Sequence, residues 1–162
     1  MFSQTVEYAL RAMVCLATSE QGPQTADEIS QRTRLKGGYL SKVMRDLVVA
    51  GLVGSQRGPN GGFTLARPPA DISILDIVTA VDPIKRITQC PMGNPNHVRL
   101  CSLHQRLDNA IGEIERAFRE TSLAEVLVEE RGGNSQCRAL TMPPGVQAAT
   151  LRLPQPGRGT GL

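Results

Sequence analysis

Two cysteines and two histidines lie near one another in the middle of the sequence, and their side chains could bind a metal. Cys90 and Cys101 flank a segment that contains His97, and His104 follows Cys101 by three residues. Thiolate and imidazole are ligands of both zinc and iron. These four residues therefore predict a metal site, with zinc and iron as open alternatives. Segment 88–101 also contains two Pro, one Gly and two Asn, which predicts an irregular loop and leaves His97 an ordinary polar loop residue as the alternative.

The other two cysteines lie far from this loop in the sequence. Cys15 is one step off an apolar helical stripe and is typical of a small buried residue. Cys137 falls in segment 131–162, which is dense in Gly and Pro without apolar periodicity, so we expect a free thiol in a disordered tail. The sequence shows neither a secretory signal nor an apolar run long enough to span a membrane, which predicts a cytoplasmic protein with reduced thiols and no membrane partner.

Enzymatic chemistry finds little support in the motifs. A redox enzyme that used Cys90 and Cys101 would be expected to carry a Cys-x-x-Cys pair, and a nucleotide-dependent enzyme a glycine-rich phosphate loop. Neither motif occurs. We therefore expect a binding protein and not an enzyme.

Positive charge is concentrated between residues 31 and 67, although the whole chain carries only +3. That segment contains seven basic residues and a single acidic one, Asp46, for a net charge of +6. The basic residues are Arg32, Arg34, Lys36, Lys42, Arg45, Arg57 and Arg67. Such a segment favours a phosphate backbone as the partner, and a merely solvated basic surface is the alternative.

The elements that would position these charges follow from apolar periodicity. Three helices with three- and four-residue apolar spacing precede two strand-like runs, which we predict at residues 5–17, 26–33, 38–50, 52–56 and 63–66. Thr25 can cap the second helix, and the turn before the third offers glycines for unusual backbone angles. A helix, helix, turn, helix and hairpin in this order predict a mainly α fold with a small β-hairpin, a winged helix-turn-helix domain.

In such a domain the third helix enters the major groove of double-stranded DNA and the hairpin loop reaches the flanking groove. The predicted DNA-binding residues are Tyr39, Ser41, Lys42 and Arg45 on the helix, with Arg57 and Asn60 in the loop. Solvated charges on the helix and a plain hairpin turn are the alternatives. The turn explains the glycines of the loop but not Arg57.

The rest of the chain predicts three more helices. Ser73 can cap the first at 74–81, a longer one follows at 103–119, and a short one at 121–128. The long helix carries an apolar stripe of Leu103, Leu107, Ala110, Ile111, Ile114 and Phe118. We expect this stripe to pair with the same helix of a second copy, with packing onto its own domain as the alternative. The predicted units are a DNA-binding domain at 1–83, a loop at 84–101, dimerisation and C-terminal helices at 102–130, and the tail.

The sequence resembles the family of winged-helix regulators that includes the iron–sulfur cluster regulator IscR and the nitric-oxide-sensing repressor NsrR. Segments 7–11, 38–40, 51–53, 57–63 and 74–78 carry the resemblance, which spans about residues 1–130. The most specific is the RGPNGGF run at 57–63. The resemblance implies a homodimer with a long crossing helix and a ligand-sensing loop, residues 84–101, before that helix. A two-fold dimer suits a palindromic operator.

The resemblance also implies ligands for a 2Fe-2S cluster, for which sensing members use three loop cysteines. Cys90 matches the first cysteine and Cys101 the last, and the spacing from Cys101 to His104 resembles a Cys-x-x-His arrangement. The middle cysteine is absent, and His97 lies in its expected neighbourhood. The fourth ligand would be His97 or Glu7 of the partner subunit. For Glu7 the alternative is an ion pair with a residue four positions later on its own helix.

Three hypotheses for control of this regulator follow. In the first, it is a repressor whose operator affinity depends on an iron–sulfur cluster that responds to redox state, nitric oxide or cluster supply. In the second, it is a cluster-free regulator controlled by a partner protein or a small ligand, as the missing cysteine favours. In the third, zinc occupies Cys90, Cys101, His97 and His104.

Overall fold

The computed structural model describes residues 2–19, 22–35, 37–90 and 99–132. The first three helices are α1 (Gln4–Ala17), α2 (Ala26–Thr33) and α3 (Gly37–Val49). Helix α2 has the bounds that the sequence predicts, because Thr25 and Glu28 form a reciprocal capping box. The Glu28 N–H donates to Thr25 Oγ1 and the Thr25 N–H donates to the Glu28 carboxylate, at 3.3 and 2.7 Å.

The turn between α2 and α3 differs from the prediction in its backbone. The left-handed conformation falls on Arg34, with φ of 57°, whereas Gly37 and Gly38 lie within the first turn of α3. Ser30 donates its hydroxyl to the Leu35 carbonyl at 2.6 Å. Leu35 is buried, and its burial favours the conformation that brings the chain into α3.

Two strands follow and form the predicted hairpin. Strands β1 (Val53–Gln56) and β2 (Gly62–Leu65) are antiparallel, with Val53 opposite Leu65 and Gln56 opposite Gly62. The hairpin is held to the α1–α2 connection by two hydrogen bonds between the backbones of Gln24 and Phe63, at 3.0 and 2.8 Å. This attachment fixes the hairpin against the helices.

The C-terminal half adds a 3₁₀ turn (Pro69–Asp71), α4 (Ile74–Val81), α5 (Ser102–Glu120) and α6 (Leu123–Gly132). Ser73 caps α4 as predicted. The start of α6 returns to the N-terminal domain, where the Ile74 N–H donates to Thr121 O at 2.9 Å and the Leu123 N–H to Ile72 O at 2.8 Å. Leu123 is fully buried, which contributes about 1.5–3 kcal/mol.

One core unites these elements. Buried residues from α1, α3 and α4 dominate it, and they include Met13, Leu40, Met44, Leu47, Ile77 and Val78. Helix α6 continues through Gly132, four residues past the predicted end at 128. The remaining tail and Cys137 lie outside the described residues. No helix in the described ranges is both long enough and apolar enough to cross a membrane.

The apolar stripe of α5 is largely uncovered in this single chain. Leu103, Leu107 and Ile114 are 62%, 47% and 41% exposed. The end of the helix behaves differently, because Phe118 packs against the core and its ring lies 5.1 Å from that of Phe2. Helix α5 is therefore packed on the core at its C-terminal end, and its apolar face is exposed from Leu103 to Ile114.

Candidate nucleic-acid interface and metal site

Helix α3 presents two distinct faces. Leu40, Val43, Met44 and Leu47 are buried, and this spacing fixes the rotation of the helix on the core. Tyr39, Ser41, Lys42 and Arg45 are all exposed on the other face. The four predicted contact residues on this helix thus share one accessible surface.

The basic residues of segment 31–67 have different surroundings. Arg32 donates to Cys15 O and to the Thr18 hydroxyl, and Arg67 donates to Asp71 O at 3.3 Å. Within the described ranges, Lys42, Arg45 and Arg57 form neither an ion pair nor a side-chain hydrogen bond. Cations without an internal partner are available to phosphate oxygens.

The hairpin loop projects Arg57 and Asn60 into solvent. Its shape requires glycine, because a Cβ on Gly61 would lie 2.3 Å from Gln56 O and one on Gly62 would lie 2.6 Å from Gln24 O. The loop is therefore closed tightly on its own backbone and held on the α1–α2 connection. The backbone that carries Arg57 and Asn60 is therefore held in a fixed position next to α3.

Tyr39 is tied to α1 as well as exposed. Its ring meets that of Tyr8 edge to face, with centroids 5.5 Å apart, and its hydroxyl lies 3.4 Å from Thr5 Oγ1. These contacts orient Tyr39 at the start of α3. No sequence pattern indicates this pairing, which joins residues 31 positions apart.

The structure brings together three of the predicted metal ligands. Cys101 caps the N-terminus of α5 without a side-chain capping hydrogen bond, and its Sγ lies 3.2 Å from Nδ1 of His104. Cys90 Sγ, on the preceding segment, lies 4.0 Å from the same nitrogen. Both thiols are partly accessible. Two sulfurs therefore converge on one imidazole.

The donor set fits part of a metal site. Across the described residues, no group of three His, Cys, Asp or Glu side chains is arranged to hold a metal ion by itself. Cys90, Cys101 and His104 nevertheless carry the types of ligand, thiolate and imidazole, that bind an iron–sulfur cluster or zinc. A fourth ligand must come from elsewhere. His97 lies outside the described residues.

Glu7, the other predicted ligand, lies on the surface of α1 and forms an ion pair with Arg11, four residues on. It also borders an apolar groove of about 330 Å³ that includes Leu10, Phe118 and Val126. The pairing with Arg11 is the alternative that the sequence left open. Glu7 is 55% exposed at its side chain, and Arg11 contacts only its Oε1.

Cys15 has the environment of a structural residue. It is fully buried, and its Sγ donates to Gln24 Oε1 at 3.3 Å. Burial raises the pKa of the Cys15 thiol, and the nearby Arg32 charge only partly opposes this. A thiol that stays protonated is a poor nucleophile and a poor metal ligand.

Sequence reasoning missed an ionic cluster beside the cysteines. Arg86 pairs with Asp108 and Glu115, at 2.6 and 3.1 Å. The only sequence signal was polar residues at helical spacing on α5. Cys101, His104, Asp108 and Glu115 recur at steps of three, four and seven residues, so they share one face.

A helix-turn-helix with an accessible, positively charged third helix, followed by a hairpin wing, defines the class of winged-helix transcription regulators. Residues 2–129 match the family model described as "Rrf2: Iron-dependent Transcriptional regulator". The chain belongs to the Rrf2 family. Members of this family are transcription regulators, and this chain is a DNA-binding regulator and not an enzyme.

Individual relatives agree with this assignment. A putative HTH-type transcriptional regulator of Aquifex aeolicus is 30% identical over 141 residues, covering 81% of this chain and 94% of that protein. Among solved structures, T. potens IscR is similar with a TM-score of 0.67 and 28% identity, over 83% of this chain and 93% of the other. CymR, the global cysteine regulator of B. subtilis, gives 0.66 and 25%, over 79% and 96%. The predicted fold class and the family resemblance are confirmed.

Proposed function

We propose that this protein is a homodimeric cytoplasmic repressor that binds a palindromic operator. Lys42 and Arg45 carry the proposal, because they are charged and exposed on the helix that follows the turn and have no partner among the described residues. A cation at this position in a winged helix can reach base edges or phosphates of the major groove. The wing residues Arg57 and Asn60 would contact the flanking backbone.

Two copies would meet through α5. Its exposed leucines Leu103 and Leu107 and its Ile114 form an apolar surface on one helix, whereas most large apolar residues of the described ranges lie in one core. A two-fold pair of recognition helices matches two half-sites about one DNA turn apart. The long helix would therefore set the spacing of the two recognition helices.

We further propose that operator affinity depends on a 2Fe-2S cluster held by Cys90, Cys101 and His104, with Glu7 of a second copy as the fourth ligand. The supporting observation is the approach of both thiols to His104 Nδ1, at 3.2 and 4.0 Å. When bound, such a cluster would supply a centre that reacts with oxidants and nitric oxide. In this chain, Cys90 and the pair Cys101–His104 would join the loop to the start of α5.

Two alternatives share the same DNA-binding function. Zinc could take Cys90, Cys101 and His104 together with His97, since these donors suit zinc equally. A cluster-free regulator, controlled by a partner protein or a small ligand, is favoured by the missing middle cysteine and by the Glu7–Arg11 ion pair. The metal content of the purified protein distinguishes the iron–sulfur, zinc and cluster-free regulators.

The test is anaerobic purification followed by measurement of iron, sulfide, zinc and visible absorbance. We expect iron and sulfide in equal amounts in the wild type, and loss of both in Cys90→Ala and Cys101→Ala. Cys137→Ala, which removes a thiol outside the loop, and Cys15→Ala, which removes the buried one, should retain them.

Operator binding is measured on the same preparations. Cys90→Ala should behave as the metal-free wild type does and should no longer respond to oxidant or nitric oxide. Zinc without iron would support the zinc alternative, and absence of both metals the cluster-free one. A Cys90→Ala protein that responds like wild type would exclude the cluster as the sensor.

A further inference from the structure

The segment that carries Cys90 is fastened to α5 by one arginine. Arg86 donates from Nε to Asp108 Oδ1 at 2.7 Å and from Nη2 to Asp108 Oδ2 at 2.6 Å. Its Nη1 donates to Glu115 Oε2 at 3.1 Å. A guanidinium that donates two hydrogen bonds to one carboxylate and a third hydrogen bond to a second carboxylate has a defined orientation.

The backbone of the same segment is attached to the same carboxylate. The Ile87 N–H donates to Asp108 Oδ1 at 2.9 Å. Asp108 is the one buried residue on the described length of α5. The Arg86 hydrogen bonds and the Ile87 N–H lower the pKa of Asp108 to about 2. The Asp108 side chain therefore holds both a side chain and a backbone group of the incoming segment.

Helix α5 also makes room for the arginine. A Cβ on Gly112 would lie 3.3 Å from Cζ, Nη1 and Nη2 of Arg86. Glycine inside a helix costs about 0.5–1 kcal/mol relative to alanine, and here it leaves space for a guanidinium that lies flat on the helix. Gly112, Asp108 and Glu115 thus together form the binding site for the Arg86 side chain on α5.

This binding site for Arg86 lies on the face of α5 that carries the candidate metal ligands. Cys101, His104 and Asp108 follow one another at steps of three and four residues, so they line one face. Only Thr88 and Gln89 separate Ile87 from Cys90. A chain advances at most about 3.6 Å per residue. Fixing Ile87 at Asp108 therefore keeps Cys90 within about 11 Å of Ile87, a range that includes its observed position 4.0 Å from His104 Nδ1.

We propose that Arg86 and Asp108 are positioning residues that hold segment 82–90 along α5 and so keep the Cys90 thiol beside Cys101 and His104. The proposal rests on the metal site described under the proposed function, but it concerns the metal-free protein first. The two thiols would be brought together before any metal arrives. Loss of the arginine would let Cys90 move away while Cys101 and His104 stay on the helix.

The test measures the proximity of the two thiols without metal. Full-length protein carrying Cys137→Ser is stripped of metal and treated with dibromobimane, which links two neighbouring thiols. The yield of the intramolecular Cys90–Cys101 link is read by peptide mapping. Cys15 is buried and should not react. We expect Arg86→Gln to lower the yield several-fold, and Arg86→Lys to give an intermediate yield because lysine cannot span both carboxylate oxygens.

Arg116→Gln is the matched control, because it removes an exposed ion pair with Glu113 on the same helix. It should leave the yield unchanged. Thermal unfolding of each variant is recorded in parallel. If Arg86→Gln melts earlier but cross-links as well as wild type, its role is stability alone and the positioning proposal is overturned.

Two further measurements keep the outcomes separate. If Arg86→Gln does not fold, hydrogen exchange of the Ile87 amide in the wild type decides: protection supports the attachment, and free exchange overturns it. Iron content is measured on the same variants. A wild type without iron but with efficient cross-linking that Arg86→Gln loses would refute the proposed cluster and still support the positioning role.

Discussion

At the residue scale, the local partners of each cation determine what it can do. Arg32 and Arg67 lie in the same basic segment as Lys42 and Arg45, but their guanidinium groups bind backbone carbonyls of the domain itself. A net charge of +6 on this segment overstates the charge available to DNA. The structure divides the segment into cations that stabilise the fold and cations that face outward.

We predict that Lys42→Ala and Arg45→Ala each weaken operator binding without changing the fold. A lost phosphate contact should lower the salt-dependence slope by about one, and a lost base contact should cost about 1–3 kcal/mol and relax specificity at one position. Fluorescence anisotropy over a range of salt concentrations measures both effects. Arg116→Ala removes the same charge away from α3 and is the control. Unchanged binding in both α3 variants would exclude this helix from the interface.

Asp108 allows a prediction about pH. Its folded-state pKa of about 2 lies below the usual value of 3.8, so its contribution to stability is full above about pH 4 and is lost as the pH falls toward 2. Asp108→Asn should remove this dependence. The difference in unfolding free energy between wild type and variant, from urea titrations, should be largest near neutral pH and shrink in acid. A difference that stays constant with pH would contradict the assignment.

At the element scale, local signals in the sequence located the helices and strands, and long-range contacts escaped them. The Thr25 capping box and the Ser73 cap gave the starts of α2 and α4 directly. The Arg86–Asp108 pair and the bridge from Ser73 to Ser122 join residues 22 and 49 positions apart. No periodicity within one element encodes such a pairing. The same reason explains why the sequence could name Cys90, Cys101 and His104 but not what holds them together.

The attachment of the wing predicts opposite effects for two glycine substitutions. Gly62→Ala would place a Cβ 2.6 Å from the Gln24 carbonyl oxygen and should destabilise the domain by about 1–3 kcal/mol. Gly38→Ala, in α3 with open space around the new atom, should stabilise it by up to about 1 kcal/mol. Thermal and urea unfolding measure both. Equal stabilities would mean that the hairpin does not rest on Gln24.

At the scale of the whole molecule, α5 carries two different surfaces. Its polar face, with His104, Asp108 and Glu115, points at the segment that precedes it. Its apolar face, with Leu107 and Ile114, remains exposed. A helix that used only one of these faces could not couple the loop to a dimer contact. With both, a change at the loop would act on the same rigid element that, in the proposed dimer, sets the distance between two recognition helices.

We therefore predict that Leu107→Glu converts the protein to a monomer while its domain stays folded. Leu107 is 47% exposed, so the charge costs the single chain little, but two such charges facing each other across a two-fold interface would repel and lose their solvation. Sedimentation should show the monomer, and binding to a full palindrome should fall to the level of a half-site. Val128→Glu, on the more exposed Val128 of α6, is the control and should remain dimeric. A Leu107→Glu protein that stays dimeric at the same concentrations would place the two-fold contact elsewhere on the chain and remove α5 as the element that spaces the recognition helices.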